Sequence, residues 1–179
     1  VSIHAGVGAG IILDHHLYTG LAGTAGEAGH MIVQPGGRSC PCGNHGCLEQ
    51  YISEPAVLSR YRELSGRTTV SIDDLVWAYN QKETAALAVT DEFTTYLACG
   101  INNLWNLFSP ECIILNSQLT AYLPQLLPEI LQKLSPRFRA TCHLKLSTLQ
   151  DTGVLLGAAR VCISKYLGTE KLYFSGLQP

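Results

Sequence analysis

Apolar and polar positions change period several times along this chain. Val1 to Ala5 reads as a short strand, and Gly6-Val7-Gly8-Ala9-Gly10 as a flexible turn. A second apolar run covers Ala9 to Leu13, and Asp14-His15-His16 predicts a hairpin turn into Leu17-Tyr18-Thr19. A Gly- and Ala-rich loop over Gly20 to Gly29 leads to a predicted strand, Met31 to Gln34, and then to a loop over 35–47. Leu48 to Leu64 reads helical, interrupted near Pro55. Ser71 is a fitting N-cap for a helix, with Asp74 three residues on. The longest helix is predicted over 83–108. There Phe93, Leu97, Ile101, Leu104 and Phe108 recur at spacings of three and four as one buried stripe, and Pro110 ends it. Glu111 to Asn116 and His143 to Ser147 read as strands, Leu126 to Leu134 and Gly153 to Leu167 as helices, with Asp151-Thr152-Gly153 a cap for the last. Alternating strands and helices with short connections predict an α/β fold with a parallel sheet.

Composition narrows the picture. With 179 residues, 46% hydrophobic and 15% charged, the chain can build a core without disulfides and is too apolar for disorder. Its 12 Lys and Arg are scattered, never adjacent, and the net charge is -2, so this segment lacks the basic face that grips duplex DNA. It holds no apolar run of membrane-spanning length, and Val1-Ser2-Ile3-His4-Ala5 has no signal-peptide pattern, which fits a cytoplasmic protein. A chain that opens inside a strand is expected to be part of a longer one.

The densest chemistry is Cys40-Pro41-Cys42-Gly43-Asn44-His45-Gly46-Cys47. Cys40 and Cys42 are too close for an easy disulfide, and one thiol would be left over. Three thiols in eight residues of loop suit tetrahedral zinc, which needs a fourth ligand. The candidates are His30 and His45. His45 lies between two ligands, where its ring would strain a tight knuckle; His30 enters from outside the loop and closes it, which favours His30. Gly43 and Gly46 are expected to supply left-handed turns that let the backbone donate to the thiolates. Cys99, Cys112, Cys142 and Cys162 read as small buried apolar residues.

Glu27 lies three residues before His30, and Glu49 two after Cys47. A metal tie between His30 and Cys47 would bring the two carboxylates together, as a pair of acceptors fit for sugar hydroxyls. Taken alone, Glu49 also reads as a helix N-terminal acid and Glu27 as a solvated loop charge. The glycines Gly6, Gly8 and Gly10 could admit an anion to the backbone, but no lysine follows and a strand comes next, so a tight turn explains them as well. His15-His16 reads as surface.

These blocks resemble the ROK family of repressors, open reading frames and kinases. Glu27-Ala28-Gly29-His30 matches its E-x-G-H, and Cys40 to Glu49 its C-x-C-G-x-x-G-C-x-E. Weaker likeness continues in Gly6 to Gly10, Asn102-Asn103-Leu104 with Phe108-Ser109-Pro110, and Gly157-Ala158-Ala159, so it spans the whole chain. The resemblance implies the C-terminal lobe of an actin-like, ribonuclease-H-like ATPase fold, with a zinc-stapled loop. It implies zinc held by His30, Cys40, Cys42 and Cys47, and a sugar met by Glu27, His30 and Glu49. Gly6, Gly8 and Gly10 would be the remnant of a phosphate loop.

Family kinases have Gly-Thr where this chain has His4 and Ala5, and the family's repressors depart at the same place. The resemblance therefore implies a sugar-responsive transcriptional repressor without kinase activity, controlling carbohydrate uptake or metabolism genes. An N-terminal lobe and a helix-turn-helix outside residues 1–179 would supply operator DNA binding. Homodimers or tetramers, and control by a sugar-transport protein, are further expectations. The alternative is an ATP-dependent kinase of a hexose or N-acetylhexosamine. The tail from Thr169 is read as native.

Overall fold

A computed structural model describes residues 1–149 and 152–168. The sheet is assembled from short pieces. Strands β1 (Ser2–Ile3) and β2 (Val7–Gly8) form an antiparallel hairpin, and β1 runs parallel to β5 (Cys112–Ser117), which runs parallel to β6 (His143–Leu146). The strand order is β2-β1-β5-β6. β3 (Ile12–Leu13) and β4 (His16–Leu17) form a separate hairpin whose turn residues Asp14 and His15 both have positive φ, at 49° and 67°. That conformation fits a two-residue turn whose twist matches the flanking strands.

Eight α-helices are described. α1 (Glu49–Ile52) and α2 (Glu54–Ser65) meet at Ser53, whose hydroxyl accepts from Ala56 N at 3.4 Å, with Pro55 in the first turn. The predicted interruption is therefore a cap between two helices. α3 (Ile72–Asn80) carries the capping box of Ser71 and Asp74 in full. α4 (Thr84–Phe108) is the axis of the domain, and α1, α2, α3 and α6 (Leu126–Lys133) all pack on it. α5 (Gln118–Tyr122) and α7 (Pro136–Thr141) are short connectors that periodicity does not reveal. α8 (Thr152–Leu167) ends the described chain; Asp151 and the tail from Thr169 lie outside the described residues.

The core joins Ile3 and Leu115 of the sheet to Tyr61, Phe93, Leu97, Ile101 and Ile130 of the helices. The predicted stripe of α4 is buried at Phe93, Leu97 and Ile101, but it continues through Trp105 rather than Leu104 and Phe108. A strict step of four keeps Trp105 over the packed turns and rotates Phe108 outward. Ser109, in the left-handed region at φ 44°, closes the helix before Pro110. Cys142 is buried as expected, Cys99 and Cys112 are half-buried, and Cys162 is exposed on α8. None of the residues of α8 is buried, so its cysteine has no core to enter.

Candidate metal and ligand site

Residues 26–50 form one loop system that follows the β3–β4 hairpin and ends in the first residues of α1. The predicted strand at 31–34 is instead a tie of single contacts. Ile32 bridges Cys47, Val33 N donates to Gly46 O at 2.9 Å, and Leu48 N donates to Met31 O at 2.9 Å. Two glycines make the close approaches. A Cβ on Gly46 would lie 1.7 Å from Gln34 O, at φ 82°, and one on Gly29 would lie 2.4 Å from Val7 O. Neither position has room for a side chain.

This folding gathers His30, Cys40, Cys42 and Cys47, whose ligand atoms all lie within 4.8 Å of one another. His45 stays outside the group, exposed and bridged to Ser39. A tetrahedral centre with metal–sulfur bonds of about 2.3 Å sets its sulfurs about 3.8 Å apart. Cys42 Sγ and Cys47 Sγ are 3.7 Å apart, and Cys40 Sγ lies 3.7 Å from His30 Nδ1. The separations and the donor set both fit a zinc-like ion. Gly43, at φ 94°, turns the knuckle so that the Asn44 amide faces Cys42, as the glycine spacing predicts. That hydrogen bond, with one to Cys40, lowers the Cys42 thiol to about 7. Burial pushes Cys47 up to about 12, so with the thiols unligated this sulfur holds its proton and a metal must displace it.

The two ring nitrogens of His30 face opposite ways. Nδ1 faces the thiols; Nε2 lies 3.9 Å from Glu27 Oε2 on the exposed side. Glu49 opens α1, and its Oε2 accepts from Val7 N at 2.9 Å, so this carboxylate is fixed to β2. The residue just after that strand receives the Glu27 loop, since Ala9 N donates to Gly26 O at 2.7 Å. β2 is thus the rail on which the Glu27 and Glu49 segments are both mounted.

The glycine run is not a free turn. Val7 and Gly8 are strand residues, the turn is confined to 4–6, and the Val7 amide is taken by Glu49. At that turn His4 Nδ1 lies 3.4 Å from Glu54 Oε1, and His4 Nε2 lies 3.4 Å from Asn116 Nδ2. The His4 side chain therefore ties this turn to Glu54 and Asn116.

Sequence reasoning missed the polar frame behind the thiols. Gln50 Nε2 lies 3.6 Å from Cys40 Sγ, and Gln50 O accepts from Arg38 Nη1 at 2.8 Å. Arg38 also pairs with Glu92 of α4 and lies over the Tyr51 ring at 4.5 Å. Only the place of Gln50, beside Glu49 at the start of α1, hinted at it.

The chain is an α/β lobe of the actin-like, ribonuclease-H-like fold, and its sheet carries a loop of one imidazole and three thiols. The family model of the ROK family matches residues 1–165, and this chain belongs to that family. It is 33% identical over 175 residues to the xylose repressor of Bacillus spizizenii, covering 96% of this chain and 45% of that protein. It also resembles the crystal structure of a ROK family transcriptional regulator, a homologue of the E. coli MLC protein. That likeness has 31% identity and a TM-score of 0.76 over 94% of this chain and 46% of the other. A ROK family glucokinase from Streptomyces griseus, solved with glucose and AMPPNP, shares the fold at 24% identity and a TM-score of 0.79, over 89% of this chain and 58% of that one. The chain spans about half the length of the curated relatives it matches. Among the described residues, no helix is long and apolar enough to cross a membrane.

Proposed function

We propose that residues 1–179 are the C-terminal sugar-sensing and dimerisation lobe of a cytoplasmic ROK transcriptional repressor, without kinase activity. Its operator DNA would be gripped by an N-terminal helix-turn-helix outside this chain. The observation that carries this reading is the two-sided placement of His30, with one nitrogen toward three thiols and the other toward Glu27.

Zinc would be held by His30, Cys40, Cys42 and Cys47, and when bound it supplies a closed structural tie rather than a reactive centre. His30 Nε2, Glu27 and the free oxygen of Glu49 then face a sugar, accepting from and donating to neighbouring hydroxyls. The relatives named as repressors support regulation over catalysis, and so does His4 in place of the kinases' glycine. Gly6, Gly8 and Gly10 remain as a phosphate-loop remnant. Sugar binding between this lobe and an N-terminal lobe would favour the closed arrangement by its differential affinity, and a homodimer or tetramer would carry the change to the DNA-binding heads. A sugar-transport protein is a second controlling partner in this scheme.

The test uses full-length protein against a sugar panel that includes xylose, glucose and N-acetylglucosamine. Thermal shift and operator release are read together, with ATP-dependent phosphorylation assayed in parallel. One sugar that both stabilises the protein and changes its DNA affinity is the expected result. Sugar phosphorylation without an operator response establishes the kinase reading instead.

A further inference from the structure

The thiols of the His30 group are held by different donors. Cys42 meets the main-chain N–H of Asn44, whereas the buried Cys40 meets a side-chain amide, Gln50 Nε2 at 3.6 Å from Sγ. Gln50 is itself held along its backbone. Its N–H donates to Cys47 O at 3.0 Å, and its carbonyl accepts from Arg38 Nη1 at 2.8 Å. Arg38 has little freedom to leave. Its main-chain N–H donates to Tyr51 Oη at 3.0 Å, its guanidinium covers the Tyr51 ring, and its second terminal nitrogen pairs with Glu92. Glu92 also accepts from Arg60 Nε of α2 at 3.0 Å. The chain of contacts runs from a sulfur, through Gln50 and Arg38, to helices α2 and α4 of the core.

We propose that Gln50 is an outer-shell residue of the metal centre, donating its amide N–H to the Cys40 thiolate, and that Arg38 is the positioning residue that aims it. This rests on the zinc reading above. A hydrogen bond to a metal-bound sulfur is charge-assisted: it holds the ligand in its direction and draws electron density from the sulfur lone pair. The metal is then held more tightly by a ligand already in place, and Cys40 becomes a poorer nucleophile toward electrophiles. The Arg38 guanidinium reaches the sulfur through the Gln50 carbonyl, so its influence there is indirect and smaller.

Full-length protein, freed of metal under reducing conditions and titrated with Co(II), provides the test. Wild type should take one Co(II) per chain with a sulfur-to-cobalt charge-transfer band. Gln50→Met, which keeps the side-chain length without a donor, should weaken Co(II) binding about tenfold to about a hundredfold in chelator competition. Its charge-transfer band should move to lower energy while the tetrahedral d–d bands stay in place. Arg38→Lys should move both readouts in the same direction by less. Gln50→Glu offers a second donor-free side chain, and the same band shift in that variant supports the proposal if Gln50→Met folds poorly. Wild-type affinity and band position in Gln50→Met, or in Gln50→Glu where Gln50→Met does not fold, overturn the role of Gln50. Unchanged readouts in Arg38→Lys overturn the positioning role. Failure of wild type to bind Co(II) overturns the zinc reading itself, which keeps the two failures distinct.

Discussion

Residues 26–50 and helix α8 both carry sequence patterns of ordered segments, and the molecule holds them in opposite ways. The loop system contains little regular structure, yet its backbone is pinned at Val33, Gly46 and Leu48, and its thiols and imidazole converge on one point. α8 is regular over 16 residues and rich in Val, Leu and Ile, yet Leu155 is 73% exposed, Tyr166 is 89% exposed and no residue of the helix is buried. Hydrophobic content therefore does not fix a segment's place. A segment is fixed where its groups meet partners whose positions are already set, as this loop does through Leu48 in the core and its hydrogen bonds at Val33 and Gly46.

The contrast can be broken most severely by removing the ligand set. Chelation, or Cys47→Ala, should release the loop while α2, α3, α4 and α6 stay folded. Loss of a metal present at about a thousandfold over its Kd withdraws about 4 kcal/mol. Hydrogen exchange that accelerates across 26–50 and stays slow in α4 is the expected pattern, and uniform acceleration contradicts it. Acidification should act in the same sense, because protons compete with the metal for the thiolates, and metal release followed against pH reads this. Gly46→Ala comes next. Its Cβ would meet Gln34 O in a left-handed backbone position, at a cost of about 3 kcal/mol by denaturant unfolding.

A smaller effect lies at α3. Ser71→Ala should cost about 1 kcal/mol. Its partner Asp74 is held below the ordinary aspartate range by hydrogen bonds from the Ser71 hydroxyl and amide. A depressed folded-state value stabilises the fold above the unfolded pKa, and that stability is lost as pH falls through the folded one. Stability measured against acid pH should therefore fall less steeply in Asp74→Asn than in wild type. Smallest of all, Leu155→Ser on α8 should change the stability of this lobe by under about 0.5 kcal/mol. A larger loss would mean that α8 buries that face, and the contrast between the two regions would close.

Much of this was legible in the sequence for physical reasons. The capping box of α3, the break at Pro55 and the body of α4 are set by neighbours within one or two turns. The Cys40-x-Cys42 and Gly46-Cys47 spacings carry the knuckle, and preferring His30 to His45 needed only the strain of a short ring. What was illegible depends on distant partners. The segment 31–34 has strand-like residues, but it meets Gly46 and Cys47 at single points and never forms a ladder. Phe108 continues the period of α4, but the helix has left its neighbours by then. Arg38 and Glu92 lie 54 positions apart, and no local pattern announces their pairing. The mounting of the Glu27 and Glu49 segments on β2 was hidden for the same reason, since the Glu49 bond to Val7 spans 42 residues.

That bond has a consequence for any molecule arriving at the open side of the loop. A free carboxylate is a swivelling, two-oxygen acceptor that adapts to its visitor. With Oε2 fastened to the Val7 amide, the Glu49 carboxylate no longer swivels freely, and its orientation is set by β2. If the proposed sugar reading holds, a hydroxyl docking there would have to come to the protein's angle, and discrimination between stereoisomers would be written into a two-residue strand before any ligand appears.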